Sequence, residues 1–342
     1  MKAVFKTELN SSELENIKKF CDSVDYCSLE QSVGFNAVLS KTKVNYFYLI
    51  DDGDIKSFSQ INENFKFAHI WFGPVCNDRE LLITSINEII NFYKKRGFMY
   101  IGIQMYQKSG YDTDYIEYKL NALHNIKYVF NNENTKSSIE VDLDKSEEEL
   151  YGKIRKGHKS DIKKAISSGV RVEKVTDYID LKAFVDVYSR MCKAREIKGH
   201  SAGEIEGICN YLIQNKKGQL LLAKDKNNIV IGGAILSFQG ISVRYLISAS
   251  DPDRREMPVT HLVIYTALKN AKADNFKYFD FWGYNHFADK ADQIFNINHF
   301  KKGFGGYFIF LAKKMNVNLI PYGFELYRLS VNFRKLVRKI LK

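Results

Sequence analysis

Apolar positions along the chain change period several times, and each change marks an element. SSELENIKKFCDSV keeps helical spacing behind a cap at Ser11 or Ser12. Val44–Ile50 and Lys66–Gly73 read as strands, the first running into the DDGD turn and the second ending at Gly73–Pro74. Residues 83–96 place Ile83, Ile86, Ile89, Ile90 and Tyr93 on one face of a helix. Phe98–Gln104 follows as a third strand after the Gly97 stop. Strands and helices with hairpins between them predict a mixed α/β arrangement, not a helix bundle.

The stretch NNENTKSS, Asn131–Ser138, interrupts the pattern with a polar loop and is the predicted domain boundary. SIEVD then gives a short strand. A cap at Asp144 or Ser146 starts a helix predicted to carry the basic segment KIRKGHKSDIKKAISSGV, residues 153–170. Helices are predicted at Leu181–Arg195, Glu204–Ile213 and Pro258–Lys272. Strands are predicted at Gln219–Ala223, Ile229–Ser237, Ile241–Ala249, Lys277–Gly283 and Tyr307–Leu311. This second half reads as a mostly antiparallel sheet flanked by helices. The C-terminal FELYRLSVNFRKLVRKILK gathers Leu326, Leu329, Phe333, Leu336, Val337, Ile340 and Leu341 on one side, with Arg328, Arg334, Lys335, Arg338, Lys339 and Lys342 elsewhere. A helix packed by its apolar side, with a basic exposed face, is the expectation; a peripheral membrane helix is the alternative.

At 342 residues the chain is long for one core, which suggests two domains. Its formal net charge of +11 suits a polyanionic partner: nucleic acid, a phosphorylated small molecule or an anionic membrane face. A Lys-rich solubilising surface accounts for the charge equally well. The five cysteines show no CxxC spacing, as expected for reduced thiols in a cytoplasmic protein. No window reaches the roughly 18 apolar residues of a membrane span.

Common catalytic signatures are missing: GxxxxGK[ST], HExxH, GxSxG and a Rossmann glycine series in its proper context. His69, His124, His158, His200, His261, His286 and His299 show no metal-ligand spacing, so neither metal nor cofactor is expected. His158 is assigned to the surface of the basic helix, and His261 to packing ahead of ligand contact. In YFDFWGYNHF, 278–287, Asp280 lies between aromatics and would need a partner if buried. It reads as a structural tie or as a base. In NHFKKGFGGYF, 298–308, Lys301 stands beside Gly303, Gly305 and Gly306. That suits a lysine at a phosphate-binding loop, or two solvated lysines entering a turn.

Six segments then occur in one order: SLEQSVGFNAV (28–38), HIWFGPV (69–75), VDLDKSEEELYGKIRKGHKSDIKKAISSGVRVE (141–173), YSRMCKAREIKG (188–199), Val243–Gly283 and HFKKGFGG (299–306). Over about residues 28–320 they resemble the FemAB/FemX family of peptidoglycan-bridge aminoacyltransferases, relatives of the N-acetyltransferases. The resemblance implies an α+β fold of tandem acetyltransferase-like domains, each a mostly antiparallel twisted sheet flanked by helices. Residues 1–140, completed by 312–342, would form the first domain and 141–311 the second. It implies transfer of an amino acid from aminoacyl-tRNA to an amine of a phosphorylated cell-wall precursor. The chemistry would sit in a cleft between the halves, in the cytoplasm or at the inner face of the cell membrane.

Carried over by motif, Lys301 becomes the candidate catalytic residue, and Arg195, Tyr245 and Phe300 become substrate-binding candidates. Lys153, Arg155, Lys156, Lys159 and Lys163 become tRNA-contact candidates, and Asp280 a structural support. The sequence departs from the family pattern where NAVLSK supplies Lys41 late and where YIGIQMYQ lacks an acidic partner. RREMPV lacks the phosphate loop of acetyl-CoA enzymes. An acyl-CoA-dependent N-acyltransferase and a non-catalytic anion-binding protein are the rival readings.

Overall fold

The computed structural model describes residues 1–39, 42–129, 136–175 and 178–340. The chain divides into two compact units, Met1–Lys136 with Phe310–Lys342, and Ser137–Ile309. The polar stretch expected at the boundary lies, up to residue 135, outside the described residues, as does Lys41. Each unit is organised on a seven-stranded, mostly antiparallel sheet with helices packed against it.

In the first unit the sheet order is Lys2–Lys6, Lys43–Asp51, Asp54–Asn64, Phe67–Trp71, Tyr100–Gln104, Met315–Asn318 and Ile126–Lys127. Phe67–Trp71 and Tyr100–Gln104 form its parallel pair. The helix Arg79–Lys95 buries Leu82, Ile86, Ile89, Ile90 and Tyr93 along one stripe, as their spacing predicts. It begins before the predicted residue 83 because the Asp78 side chain accepts from the Leu81 N–H at 2.8 Å. The first helix, Ser11–Asp22, is capped by Asn10 in a capping box with Glu13, so Ser11 and Ser12 already lie inside it.

In the second unit the order is Tyr307–Phe310, Ser137–Asp142, Tyr278–Asp280, Ser242–Ser250, Val230–Gln239, Gly218–Lys224 and Arg171–Lys174. Helices Tyr178–Ala194 and Val259–Ala273 pack on the hairpin formed by Val230–Gln239 and Ser242–Ser250. The core joins Ile139, Val141, Ile162, Leu236, Val243, Val263, Phe279, Phe281 and Phe304.

Two sequence expectations are corrected here. The basic segment is two helices, Glu147–Lys153 and Lys156–Ser167, because the chain leaves helical geometry at Ile154 (φ −65°, ψ 132°) to bury that side chain. The Arg155 N–H then reaches the Gly303 carbonyl at 2.8 Å. The terminal helix, Gly323–Ile340, does not bury the apolar side read from its pattern. Phe324 and Tyr327 pack inward, with Tyr327 stacked on Tyr100 at 4.6 Å between ring centroids, while Leu326, Leu329, Phe333 and Leu336 are exposed.

Candidate active site

A cavity of about 1020 Å³ opens in the second unit where its sheet separates. The strand Ser242–Ser250 pairs in parallel with Tyr278–Asp280 only from Ser242 to Arg244. An irregularity opposite Ile235 and Leu236 leaves Leu246 without a register partner, and Tyr245–Asp251 then line the cavity. On the other side the chain leaves the sheet after Asp280, earlier than the predicted Gly283, through left-handed backbone at Trp282 (φ 48°) and Gly283 (φ 57°). Every lining residue falls between Asp161 and Lys301, within the second unit.

Lys301 closes one wall. It is neither solvated nor on a flexible loop: it lies in the last turn of the helix Gln293–Lys302 and is buried. Its Nζ donates to the Trp282 carbonyl and, at 3.2 Å, to that of Gly283. The ammonium thus caps two carbonyls of the turn by which the chain leaves the sheet. Burial draws its pKa down to about 8, against the opposing pull of Asp280. At neutral pH it remains mostly a cation, held without a full solvent shell.

Asp280 is buried and has the partners that a buried carboxylate needs. Its carboxylate accepts from the Ser138 hydroxyl and, at 2.8 Å, from the Trp282 N–H. Arg244, fully buried, brings Nε to 3.9 Å of that carboxylate and stacks its guanidinium 3.7 Å above the Trp282 ring. These contacts hold the turn that presents its carbonyls to Lys301.

Arg195 and Tyr245 line the same cavity as Lys301 and Phe300. Arg195 follows the end of the helix Tyr178–Ala194 and is exposed, one residue beyond the last helical position. Tyr245 is pushed up to about 12 by burial, although a Ser248 hydrogen bond and the Arg195 charge pull the other way, so its hydroxyl stays protonated at neutral pH. Phe300 is a packing wall, in contact with the rings of His158, His261 and Phe304.

Sequence reasoning did not bring forward Asp161, Lys198, Arg254, Arg255 or Trp282, which also line the cavity. Of its two lining carboxylates, Asp251 is clasped by Arg190 at 2.8 and 3.1 Å. Cations therefore dominate the wall. The first turn of Val259–Ala273, without a side-chain cap, reaches the same space.

His158 is buried, contrary to its surface assignment, because Nε2 hydrogen-bonds the Phe300 carbonyl at 2.9 Å beneath the cavity wall. With Asp161 and His261 it forms a cluster whose nearest ligand atoms lie within 4.8 Å of one another. The second His158 nitrogen is 3.3 Å from the Arg155 guanidinium, which places a cation where a metal would have to bind. His261 Nε2 stands 3.3 Å from Asp161, and burial holds its pKa down to about 4. The group is arranged for hydrogen bonding.

None of the five tRNA-contact candidates lines the cavity. Arg155 is engaged with His158 and His299, and Lys159 donates to the Gly152 carbonyl at 2.8 Å. Lys153, Lys156 and Lys163 are exposed.

Residues 213–330, about a third of the chain, match the model of the FemAB family. That segment is similar to the FemAB family. Tyr245, Asp280, Phe300 and Lys301 fall within the FemAB segment; Arg195 and the basic helices precede it. A lipid II:glycine glycyltransferase of Staphylococcus haemolyticus is 36% identical over 87 residues, which cover 25% of this chain and 21% of that protein. The matched segment is thus about one fifth of that relative's length. The crystal structure of FemX superposes with a TM-score of 0.80 at 18% identity, covering 96% of this chain and 99% of that one. L-PGS from Bacillus licheniformis superposes with a TM-score of 0.62 at 10% identity, covering 93% and 94%. At these identities the two structures establish a shared fold.

Proposed function

We propose that this chain is a FemAB-type aminoacyltransferase that moves an amino acid from aminoacyl-tRNA to a primary amine of a phosphorylated peptidoglycan precursor. The observation that carries the reading is Lys301, a buried cation with its amine in the wall of a large cavity shared with Arg195 and Tyr245. The name of the staphylococcal relative supplies lipid II as the acceptor to test first. A lipid-linked acceptor brings the protein to the inner face of the cell membrane as a peripheral protein. Among the described residues, no helix is long and apolar enough to cross it.

The acceptor nitrogen, as a free amine, attacks the ester carbonyl of the donor. A C–N bond forms, the C–O bond to the ribose breaks, and the ribose hydroxyl leaves with the proton that the amine gives up. Ester aminolysis is downhill, so the protein's work is placement and charge stabilisation. Lys301 meets the oxyanion with a charge already fixed by two carbonyls, which spares reorganisation during the step. Arg195, exposed at the rim, binds a phosphate or carboxylate of a substrate. Tyr245 offers a neutral hydroxyl donor, and Phe300 keeps the wall apolar beside the reacting ester. Lys153, Lys156 and Lys163 supply sequence-independent phosphate contacts to the tRNA.

Purified protein incubated in parallel with charged tRNAs and with acyl-CoAs, each with lipid II and its soluble nucleotide-linked counterpart, tests the reading. Mass spectrometry should show one added aminoacyl residue only with charged tRNA. Acylation from acyl-CoA would assign the other donor. Salt-dependent tRNA binding with no modified amine would leave a binding protein.

A further inference from the structure

The terminal helix carries two apolar stripes, and among the described residues only one of them is covered. Phe324 and Tyr327 face Phe67, Tyr100 and His69 in the core of the first unit. On the opposite side Leu326, Leu329, Phe333 and Leu336 are 41%, 65%, 68% and 55% exposed. Their spacing of three, four and three residues keeps them within about 80° of arc at 3.6 residues per turn. Four large apolar side chains in one line are unlike the scattered apolar residues of an ordinary surface.

The charge along this helix identifies what covers the stripe. From Arg328 to the end of the chain the sequence has six cations, Arg328, Arg334, Lys335, Arg338, Lys339 and Lys342, and no acid. The helix's one carboxylate, Glu325, is already paired with Lys127. A second copy laid along the stripe would bring two such cationic segments together. A surface that is negative at its face and apolar beneath satisfies both features.

We infer that the terminal helix docks in the plane of an anionic lipid surface, inserting Leu326, Leu329, Phe333 and Leu336 among the acyl chains while Arg328 and Arg334 meet the headgroups. The inference names a surface that the transferase reading does not require, and its test needs no turnover.

The full chain is sedimented with vesicles of phosphatidylcholine alone and of phosphatidylcholine mixed with phosphatidylglycerol, neither of which carries a primary amine. The chain should pellet with the mixed vesicles and remain largely in solution with the neutral ones. Leu329→Ser with Phe333→Ser should weaken binding roughly tenfold or more, with the melting temperature unchanged because both side chains are already exposed. Arg328→Glu with Arg334→Glu should weaken it by a similar factor and flatten its salt dependence. Failure to pellet with anionic vesicles would overturn the inference, as would full binding by the Ser variant. So would a self-associated wild-type chain that the Ser variant disperses, since a second copy would then cover the stripe.

Discussion

Replacing Lys301 by Met separates catalytic from structural roles, because the two predict opposite signs for stability. Drawing the amine from its ordinary 10.5 to about 8 means that keeping it protonated in this site costs roughly 3 kcal/mol at neutral pH. Met keeps the unbranched shape and removes that cost. It also removes the donor to the Trp282 and Gly283 carbonyls, which costs about 1–3 kcal/mol, less where cavity water replaces the amine. The expected sum lies between no change and a gain of about 2 kcal/mol at pH 7.

The pH dependence fixes the sign. Below pH 8 Lys301 is protonated in both folded and unfolded chains and the cost is complete. Between pH 8 and 10.5 the unfolded chain holds the proton that the folded chain has released. Wild-type stability therefore rises through that window relative to the Lys301→Met variant, which lacks this one titrating group. Urea unfolding of wild type and Lys301→Met from pH 7 to 10.5 reads this directly. Transfer in the Lys301→Met enzyme should fall about 100- to 1000-fold, the usual loss for one oxyanion donor. A variant that loses about 2 kcal/mol or more at every pH, with activity falling in step, would refute the argument and make Lys301 a structural clamp.

Asp280→Asn neutralises the carboxylate beside the buried Arg244 and weakens its bonds to Ser138 and Trp282, which should cost about 1–3 kcal/mol in urea unfolding. In whatever fraction folds, the alkaline limb of transfer should move to lower pH, because Asp280 is the charge that holds the Lys301 pKa up. Arg195→Ala, at an exposed position, should change stability by less than about 0.5 kcal/mol and raise KM for the acceptor with little change in kcat. At Gly303 an added Cβ would lie 2.2 Å from His158 Nε2, so Gly303→Ala should cost about 1–3 kcal/mol through overpacking. It should also slow transfer, since the His158 bond to the Phe300 carbonyl holds the turn that ends in Lys301.

The elements with a strong period were legible from the residues: the stripe of Arg79–Lys95 and the hairpin that spans Val230–Ser250 lie where the pattern places them. A helix start at Asp144 or Ser146 was legible as well, and the structure places the cap at Ser146, in a capping box with Glu149. What escaped was decided by distant partners. Ile154 is one apolar residue in a basic run, and nothing nearby shows that the chain breaks a helix to bury it. Lys301 in HFKKG looks like its neighbour Lys302, yet one is buried and the other exposed, because Lys301 meets the carbonyls released by the Trp282–Gly283 turn. Asp280 could be expected to need partners, but Ser138 and Arg244 lie on other strands.

A one-sided apolar pattern states that a surface avoids water; it does not state what takes the water's place. Arg79–Lys95 and the terminal helix present the same kind of spacing. The first is covered by its own sheet, while the outer stripe of the second is covered by nothing among the described residues. The difference lies in charge. Arg79–Lys95 mixes Arg79, Glu80, Glu88, Lys94 and Lys95, which makes an ordinary solvated outer face. The terminal segment sets six cations beside its second stripe with no acid after Glu325, a composition that favours a negative external surface over the protein's own core. The same principle bears on the cavity: Lys301, Arg195, Lys198, Arg254 and Arg255 share its wall with two carboxylates, Asp161 and Asp251, a balance of charge that favours a negative ligand.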